Sequence, residues 1–128
     1  MIDHLGFAVA DLERSRAFYA QALAPLAIAL VAEVTAEQTG GAAHLGFGAK
    51  GKPFFWISSG ARPVSGLHVA FAVASRAEVR AFHDAALKAG GTDNGPPGLR
   101  LHYHPNYYGA FVLDPDGNNI EAVCHAPE

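Results

Sequence analysis

The chain has 128 residues, half of them hydrophobic, and a formal net charge of −3 at pH 7, which fits one globular domain with a single buried core. The slightly acidic balance excludes a basic surface for nucleic acid, and no apolar run reaches the roughly 20 residues that cross a bilayer. A single cysteine, Cys124, excludes an internal disulfide and, with no secretory leader at the N-terminus, favours a cytoplasmic protein.

The first half of the chain opens with an alternating segment. Residues 2–10 place bulky side chains on one face and His4 with small residues on the other, which predicts a strand. Asp11 is suited to cap a helix that ends before Pro25. Three short strands are then predicted near 28–35, 42–48 and 54–59.

The second half repeats the first at a distance of 64 residues. Residues 4–10 read HLGFAVA and residues 68–74 read HVAFAVA, and a second helix is predicted from the cap Ser75 to Gly90. Strands follow near 99–104, 107–113 and 118–124. The pattern predicts an α+β fold in which a β-α-β-β-β module occurs twice, at about 1–60 and 66–125. The connector is too short to separate two domains, so we expect one domain over 1–128.

Three residues of this repeat are candidates for a metal site. His4 and His68 begin equivalent strands, and duplicated units that pack about a pseudo-twofold axis could bring both to a common centre. Glu121 lies in an apolar strand, where an ionised carboxylate needs a metal or a cationic partner. Two histidines and one carboxylate leave open positions on zinc, nickel, manganese or iron. The alternative is that the histidines are hydrogen-bonded at the core edge and Glu121 is a solvated charge.

The segment before the seventh predicted strand is rich in polar and aromatic residues. His102 and His104 are predicted to share one face of the strand at 99–104, where an imidazole could transfer protons. Arg100 is suited to an anionic substrate group, and Tyr107 and Tyr108 could contact a substrate. The alternative is a surface hairpin with exposed tyrosines and a solvated arginine.

These features together resemble those of a known family. The repeated module, the histidine that begins each copy and residues 114–121, which read DPDGNNIE, resemble the vicinal oxygen chelate superfamily over almost the whole chain. That superfamily includes glyoxalase I, bleomycin-resistance proteins, fosfomycin-resistance thiol transferases and extradiol dioxygenases. The resemblance implies two modules that form a curled mixed sheet around a cup-shaped cavity. It also implies one divalent metal, held by His4, His68 and Glu121, that chelates two neighbouring oxygens of a small-molecule substrate.

The resemblance further implies a homodimer. Each cup would contain His4 of one chain with His68 and Glu121 of the other, or all three from one chain, and the sequence leaves both arrangements open.

Two departures from the family pattern limit the expected chemistry. The fourth ligand of glyoxalase I is missing, because the offset of 64 places Ile57 at that position, or Trp56 or Phe55 after a small slip. Trp56 is expected either to form a wall of the cavity or to lie in the core. The tyrosine of the extradiol dioxygenase signature is replaced by Val112, which ranks a dioxygenase lower.

Two function hypotheses of different classes follow. The first is a glyoxalase-like, metal-dependent lyase or isomerase acting on adjacent oxygens, with the metal as Lewis acid and His102 or His104 as acid-base residue. The second is a metal-free, bleomycin-resistance-like protein that binds a planar or aromatic compound through Trp56, Tyr107 and Tyr108. A fosfomycin-type thiol transferase ranks lowest.

Overall fold

Two β-α-β-β-β units follow each other in the computed structural model, which describes residues 1–60 and 62–128. The first unit contains β1 (Leu5–Ala8), α1 (Leu12–Ala22), β2 (Ala29–Val34), β3 (His44–Ala49) and β4 (Lys52–Ser58). A short 3₁₀ helix, Ala24–Leu26, and a one-turn helix, α2 (Ala36–Thr39), interrupt it. The second unit contains β5 (His68–Ala72), α3 (Arg76–Lys88), β6 (Thr92–Leu99), β7 (Tyr108–Leu113) and β8 (Asn119–Cys124). The predicted α+β class and the tandem modules are confirmed.

The strands form two four-stranded mixed sheets with the same topology. Their orders are β1-β4-β3-β2 and β5-β8-β7-β6, and in each sheet the first strand pairs parallel with the last strand of its unit. The remaining neighbours are antiparallel. Neither sheet closes on itself, so β1 and β5 are both edge strands.

The prediction of a strand at 99–104 was wrong. β6 lies earlier, at Thr92–Leu99, and residues 101–103 form a turn, so His102 and His104 do not share a strand face. β6 contains two prolines, which are disfavoured in strands because proline donates no backbone hydrogen bond. They are tolerated because β6 is an edge strand whose pairing with β7 shifts register twice between Asp93 and Gly98.

The core lies between the sheets and the helices. Five aromatic side chains are almost fully buried there: Phe18, Tyr19, Phe47, Phe55 and Phe82. The rings of Phe55 in β4 and Phe71 in β5 are 5.4 Å apart and join the two units. Cys124 is also buried, on the helix face of β8. Among the described residues, no helix combines the length and apolarity that a membrane crossing requires.

Candidate functional site

A histidine and a carboxylate meet on the face of the second sheet that is opposite α3. β5 and β8 run parallel with Ala70 opposite Glu121, so His68 and Glu121 lie on the same face, two residues apart in register. His68 Nε2 lies 2.9 Å from Glu121 Oε1. The Glu121 side chain is 1% exposed, whereas that of His68 is 54% exposed. A buried carboxylate therefore faces an imidazole that solvent and ligands can reach.

The second oxygen of this carboxylate is bound by a phenol. The Tyr107 hydroxyl, just before β7, donates a hydrogen bond to Glu121 Oε2. Burial and this bond to Glu121 raise the pKa of Tyr107, so its hydroxyl stays a donor at neutral pH. Both carboxylate oxygens thus have partners, as the burial of Glu121 requires.

A glycine in β7 makes room for this contact. A Cβ atom on Gly109 would lie 3.1 Å from Glu121 Oε2 and 3.2 Å from Tyr107 Cε1, closer than ordinary van der Waals contact. Gly109 is not among the site residues predicted from the sequence. The period-two alternation along β7, with Ala110 and Val112 in the core, could have placed it on the site face.

The two histidines predicted as catalytic lie beyond Tyr107, in and after the turn that precedes β7. The His102 ring lies 4.1 Å from that of Tyr103, which in turn contacts Tyr107. His104 packs edge to face on His125, and the His125 ring also packs edge to face on Tyr107. His104 Nδ1 accepts a hydrogen bond from the Asn106 backbone N–H, so the neutral ring carries its proton on Nε2, which can donate to a ligand.

The predicted substrate-binding residues of the second unit are divided between the two faces of its sheet. Arg100 lies on the site face, with its guanidinium carbon 5.4 Å from the centre of the Phe111 ring. Tyr108 lies on the other face, where its ring contacts the guanidinium groups of Arg76 and Arg80 in α3. The structure therefore brings Arg100, but not Tyr108, to the side of Glu121.

Trp56 occupies the position in the first sheet that Glu121 occupies in the second. Gly6 in β1 is opposite Trp56, just as Ala70 is opposite Glu121, and Gly6 and Ala70 are equivalent in the repeat. The structure thus selects Trp56 from the three residues that the sequence left open, since Phe55 and Ile57 are buried in the core. A Cβ atom on Gly46 would lie 2.9 Å from the indole, so the ring lies directly on that glycine.

His4 lies with the first sheet and has different partners from His68. Its Nδ1 is 2.7 Å from Asp3 Oδ2, and Lys52 Nζ is 2.5 Å from Asp3 Oδ1, all at exposed side chains. Across residues 1–60 and 62–128, no three histidine, cysteine, aspartate or glutamate side chains come together as a metal site. One chain therefore unites His68 with Glu121 but does not add His4 to them.

The DPDG segment ties this site to the rest of the fold. Asp114 Oδ1 accepts hydrogen bonds from the backbone N–H groups of Asp116 and Asn118, while Oδ2 accepts from the Tyr19 hydroxyl of α1 at 2.5 Å. The Asn118 side chain bonds the backbone of Val64 and of Leu67 before β5. The segment thereby fixes β8 beside β5, which sets Glu121 next to His68.

Comparisons with known proteins agree with this architecture. The family model of the Glyoxalase/Bleomycin resistance protein/Dioxygenase superfamily matches residues 1–122. A glyoxalase/bleomycin resistance protein from Albidiferax ferrireducens T118 is 28% identical, with a TM-score of 0.73 over 97% of this chain and 98% of that one. A glyoxylase/bleomycin resistance protein/dioxygenase domain from Frankia sp. EAN1pec is 16% identical, with a TM-score of 0.74 over 98% of both chains.

Glyoxalase I from Zea mays shares the fold as well. It is 18% identical, with a TM-score of 0.74 over 99% of this chain, and this chain spans 45% of its length. A comparison with curated proteins gave no significant match. Since the family model covers nearly the whole sequence and the fold agrees, the chain belongs to the Glyoxalase/Bleomycin resistance protein/Dioxygenase superfamily.

Proposed function

We propose that the chain is a metal-dependent enzyme of lyase or isomerase type that acts on a small molecule with two adjacent oxygens. The observation that carries this proposal is the buried Glu121 carboxylate, 2.9 Å from His68 on the sheet face opposite the helix. Membership of the superfamily, and a fold shared with glyoxalase I, support the same class of chemistry.

The donor atoms of this pair fit a divalent transition metal. Imidazole nitrogen and carboxylate oxygen are ligands of zinc, nickel, manganese and iron. His68 Nε2 and Glu121 Oε1, 2.9 Å apart, would be close enough to hold one such ion between them. The Tyr107 hydroxyl supports the carboxylate from behind, as a partner outside the ligand set.

A third protein ligand would come from His4 of a second copy of the chain. His4 is equivalent to His68 in the repeat but binds Asp3 in its own chain. A cavity of about 790 Å³ is lined by residues 1–5 and 69–74, and so includes His4 but neither His68 nor Glu121. A homodimer that exchanges modules would supply His4 to the His68–Glu121 pair twice, once per site.

The bound ion would act as a Lewis acid on two adjacent substrate oxygens. Side chains of the protein would position the carboxylate ligand, enclose the substrate and contact its oxygens. Tyr107 would keep the Glu121 carboxylate in place. Trp56, from the chain that supplies His4, would form a flat aromatic wall of the site. His104, whose Nδ1 accepts the Asn106 N–H, would present the N–H of Nε2 as a donor to a substrate oxygen.

Trp56 also favours a second function, the metal-free binding of a planar or aromatic compound. Trp56 occupies the position in the first sheet that the Glu121 carboxylate occupies in the second. An indole stacks on aromatic rings but does not bind a hard metal ion. In this alternative the His68–Glu121 pair would be an ordinary buried hydrogen bond.

Metal content and subunit exchange test the proposal together. We expect close to one transition metal per chain by elemental mass spectrometry of untagged protein, lost in His4→Ala, His68→Ala and Glu121→Gln. His83→Gln, which removes an imidazole that binds Asp93 on the second unit, is the matched control.

Mixing two inactive variants distinguishes the exchanged dimer from a site within one chain. A heterodimer of His4→Ala with Glu121→Gln chains would have one complete site and one doubly defective site. Random pairing in an equimolar mixture makes about half of the dimers heterodimers, so about a quarter of a metal per chain returns. A site within one chain gives no recovery. Protein without metal after soaking in zinc, nickel, manganese and iron(II) would leave the metal-free alternative.

A further inference from the structure

In the second sheet, two backbone carbonyls and an aromatic ring hold the guanidinium group of Arg100. Arg100 Nη1 donates a hydrogen bond to the Gly98 carbonyl at 2.9 Å, and Nη2 donates to the Pro96 carbonyl at 2.7 Å. The guanidinium carbon lies 5.4 Å from the centre of the Phe111 ring, within the range of a cation–π contact. The orientation of the group is therefore fixed before any ligand arrives.

Two glycines of β6 leave the space that the guanidinium group occupies. A Cβ atom on Gly95 would lie 2.9 Å from the Phe111 ring and 3.2 Å from Arg100 Nη2, and one on Gly98 would lie 3.1 Å from Arg100 Nη1. Gly95 also has a positive φ of 152°. The Gly-Pro-Pro-Gly sequence of the bulged edge strand thus gives the guanidinium close access to two carbonyls and a ring.

In the described part of the chain, no acidic side chain neutralises the charge of Arg100. Among residues 1–60 and 62–128, no aspartate or glutamate forms an ion pair with it. Its described partners are neutral carbonyl oxygens and an aromatic ring, and they occupy two of the five N–H donors. A half-buried guanidinium with donors to spare is suited to a carboxylate, which it can bind in bidentate geometry.

The Arg100 guanidinium lies near His68 and Glu121, the two proposed metal ligands. Phe111 lies directly opposite Glu121 in the pairing of β7 with β8. The His68 ring lies 6.2 Å from the centre of the same Phe111 ring that Arg100 contacts. One small molecule could therefore reach Arg100 and the His68–Glu121 pair at once.

We propose that Arg100 binds a carboxylate of the substrate. The substrate class is then a small carboxylic acid whose two adjacent oxygens lie several bonds from the carboxylate. This inference rests on the proposed function for the role of the adjacent oxygens, whereas the anion site rests on Arg100, Phe111 and the β6 glycines alone.

A pair of probes that differ only in the carboxylate tests the inference. Calorimetry would compare 3,4-dihydroxybenzoate with catechol at pH 7, on zinc-loaded and on metal-free protein. For the wild type we expect binding about tenfold tighter for the acid, the size of one charge-assisted hydrogen-bond interaction. In Arg100→Gln the preference should fall to within about twofold while catechol affinity is retained.

Two further variants keep the result interpretable. Arg14→Gln removes the same charge from α1, away from the site, and should keep the tenfold preference. Gly98→Ala leaves the arginine in place but moves its guanidinium, and should reduce the preference as Arg100→Gln does.

The outcomes separate this inference from the proposed function. A preference that is absent in the wild type, or that survives Arg100→Gln, overturns the carboxylate site even if zinc tightens both probes. If zinc tightens neither probe but the preference depends on Arg100, the carboxylate site stands and metal chelation fails. Competition with inorganic phosphate tests whether Arg100 binds any anion. If phosphate displaces 3,4-dihydroxybenzoate at equal concentration, the site is not selective for a carboxylate.

Discussion

The Tyr107 hydroxyl and the Glu121 carboxylate form a hydrogen bond that connects the aromatic cluster before β7 to the buried acid of β8. Tyr107 is only partly buried, whereas Glu121 is fully buried, so the phenol links the acid to groups at the surface. With His68 on Oε1 and Tyr107 on Oε2, the carboxylate has one fixed orientation. Four predictions follow from this contact and from the positions around it.

Tyr107→Phe removes the donor and leaves Glu121 Oε2 buried without a partner. We expect the free energy of unfolding to fall by about 1–3 kcal/mol, the cost of an unsatisfied buried acceptor. Urea denaturation followed by circular dichroism measures it. Tyr103→Phe is the control, since Tyr103 is exposed and its loss should change stability by less than about 0.5 kcal/mol. Equal effects of the two variants would contradict the prediction.

Gly109→Ala should disturb the same contact from below. Its Cβ atom would press on Glu121 Oε2 and on the Tyr107 ring, so both side chains must shift by a few tenths of an ångström. We expect lower thermal stability and weaker zinc binding by calorimetry. Gly41→Ala is matched to it, because a Cβ there meets nothing within 4 Å and Gly41 has no positive φ. Unchanged zinc affinity in Gly109→Ala would show that the carboxylate tolerates the shift.

The hydrogen bond from Tyr19 to Asp114 predicts a pH dependence of stability. Burial, and then the charge of Asp114, raise the pKa of Tyr19 well above 10, its ordinary value. Stability from this group is therefore fully present below pH 10 and decreases above it, where the unfolded tyrosine ionises and the folded one does not. The loss is about 1.4 kcal/mol for each pH unit until the folded pKa is reached.

A comparison with Tyr19→Phe isolates this effect. The wild type should be more stable by about 1–3 kcal/mol at pH 8, and the difference should narrow steadily between pH 10 and 11. Chemical denaturation at each pH gives both values. A difference that stays constant across this range would mean that Tyr19 ionises equally in both states.

Trp56→Glu places a carboxylate where the first sheet lacks one. Because Trp56 is equivalent to Glu121, we expect the new side chain to add a ligand and to tighten zinc binding by about tenfold. Trp56→Gln has the same size without the charge and is the control. If both variants bind zinc as the wild type does, the side chain at position 56 does not reach the metal site.

Local pattern was sufficient for much of the fold and for part of the site. The alternation in β1 and β5, and the capping residues Asp11 and Ser75, predicted those elements because each signal depends on neighbours within a few residues. The sequence also predicted His68 and Glu121 as candidates for one site, and the structure brings them together by pairing β5 with β8. β6 was missed because its prolines are acceptable only on an edge strand, and sheet order is not a local property.

The sequence alone was enough to predict the repeat, the α+β class and the family resemblance, because repeat period and alternation are read from the order of residues. The contact of His68 with Glu121 depends instead on the parallel pairing of β5 with β8. Only the tertiary structure decided that Trp56 is the counterpart of Glu121, that Tyr107 binds the buried carboxylate and that Arg100 is held on Phe111. Those relations join residues from different strands and turns. Their distances depend on strand register, on a bulged edge and on glycines that admit a neighbouring side chain, none of which a local pattern specifies.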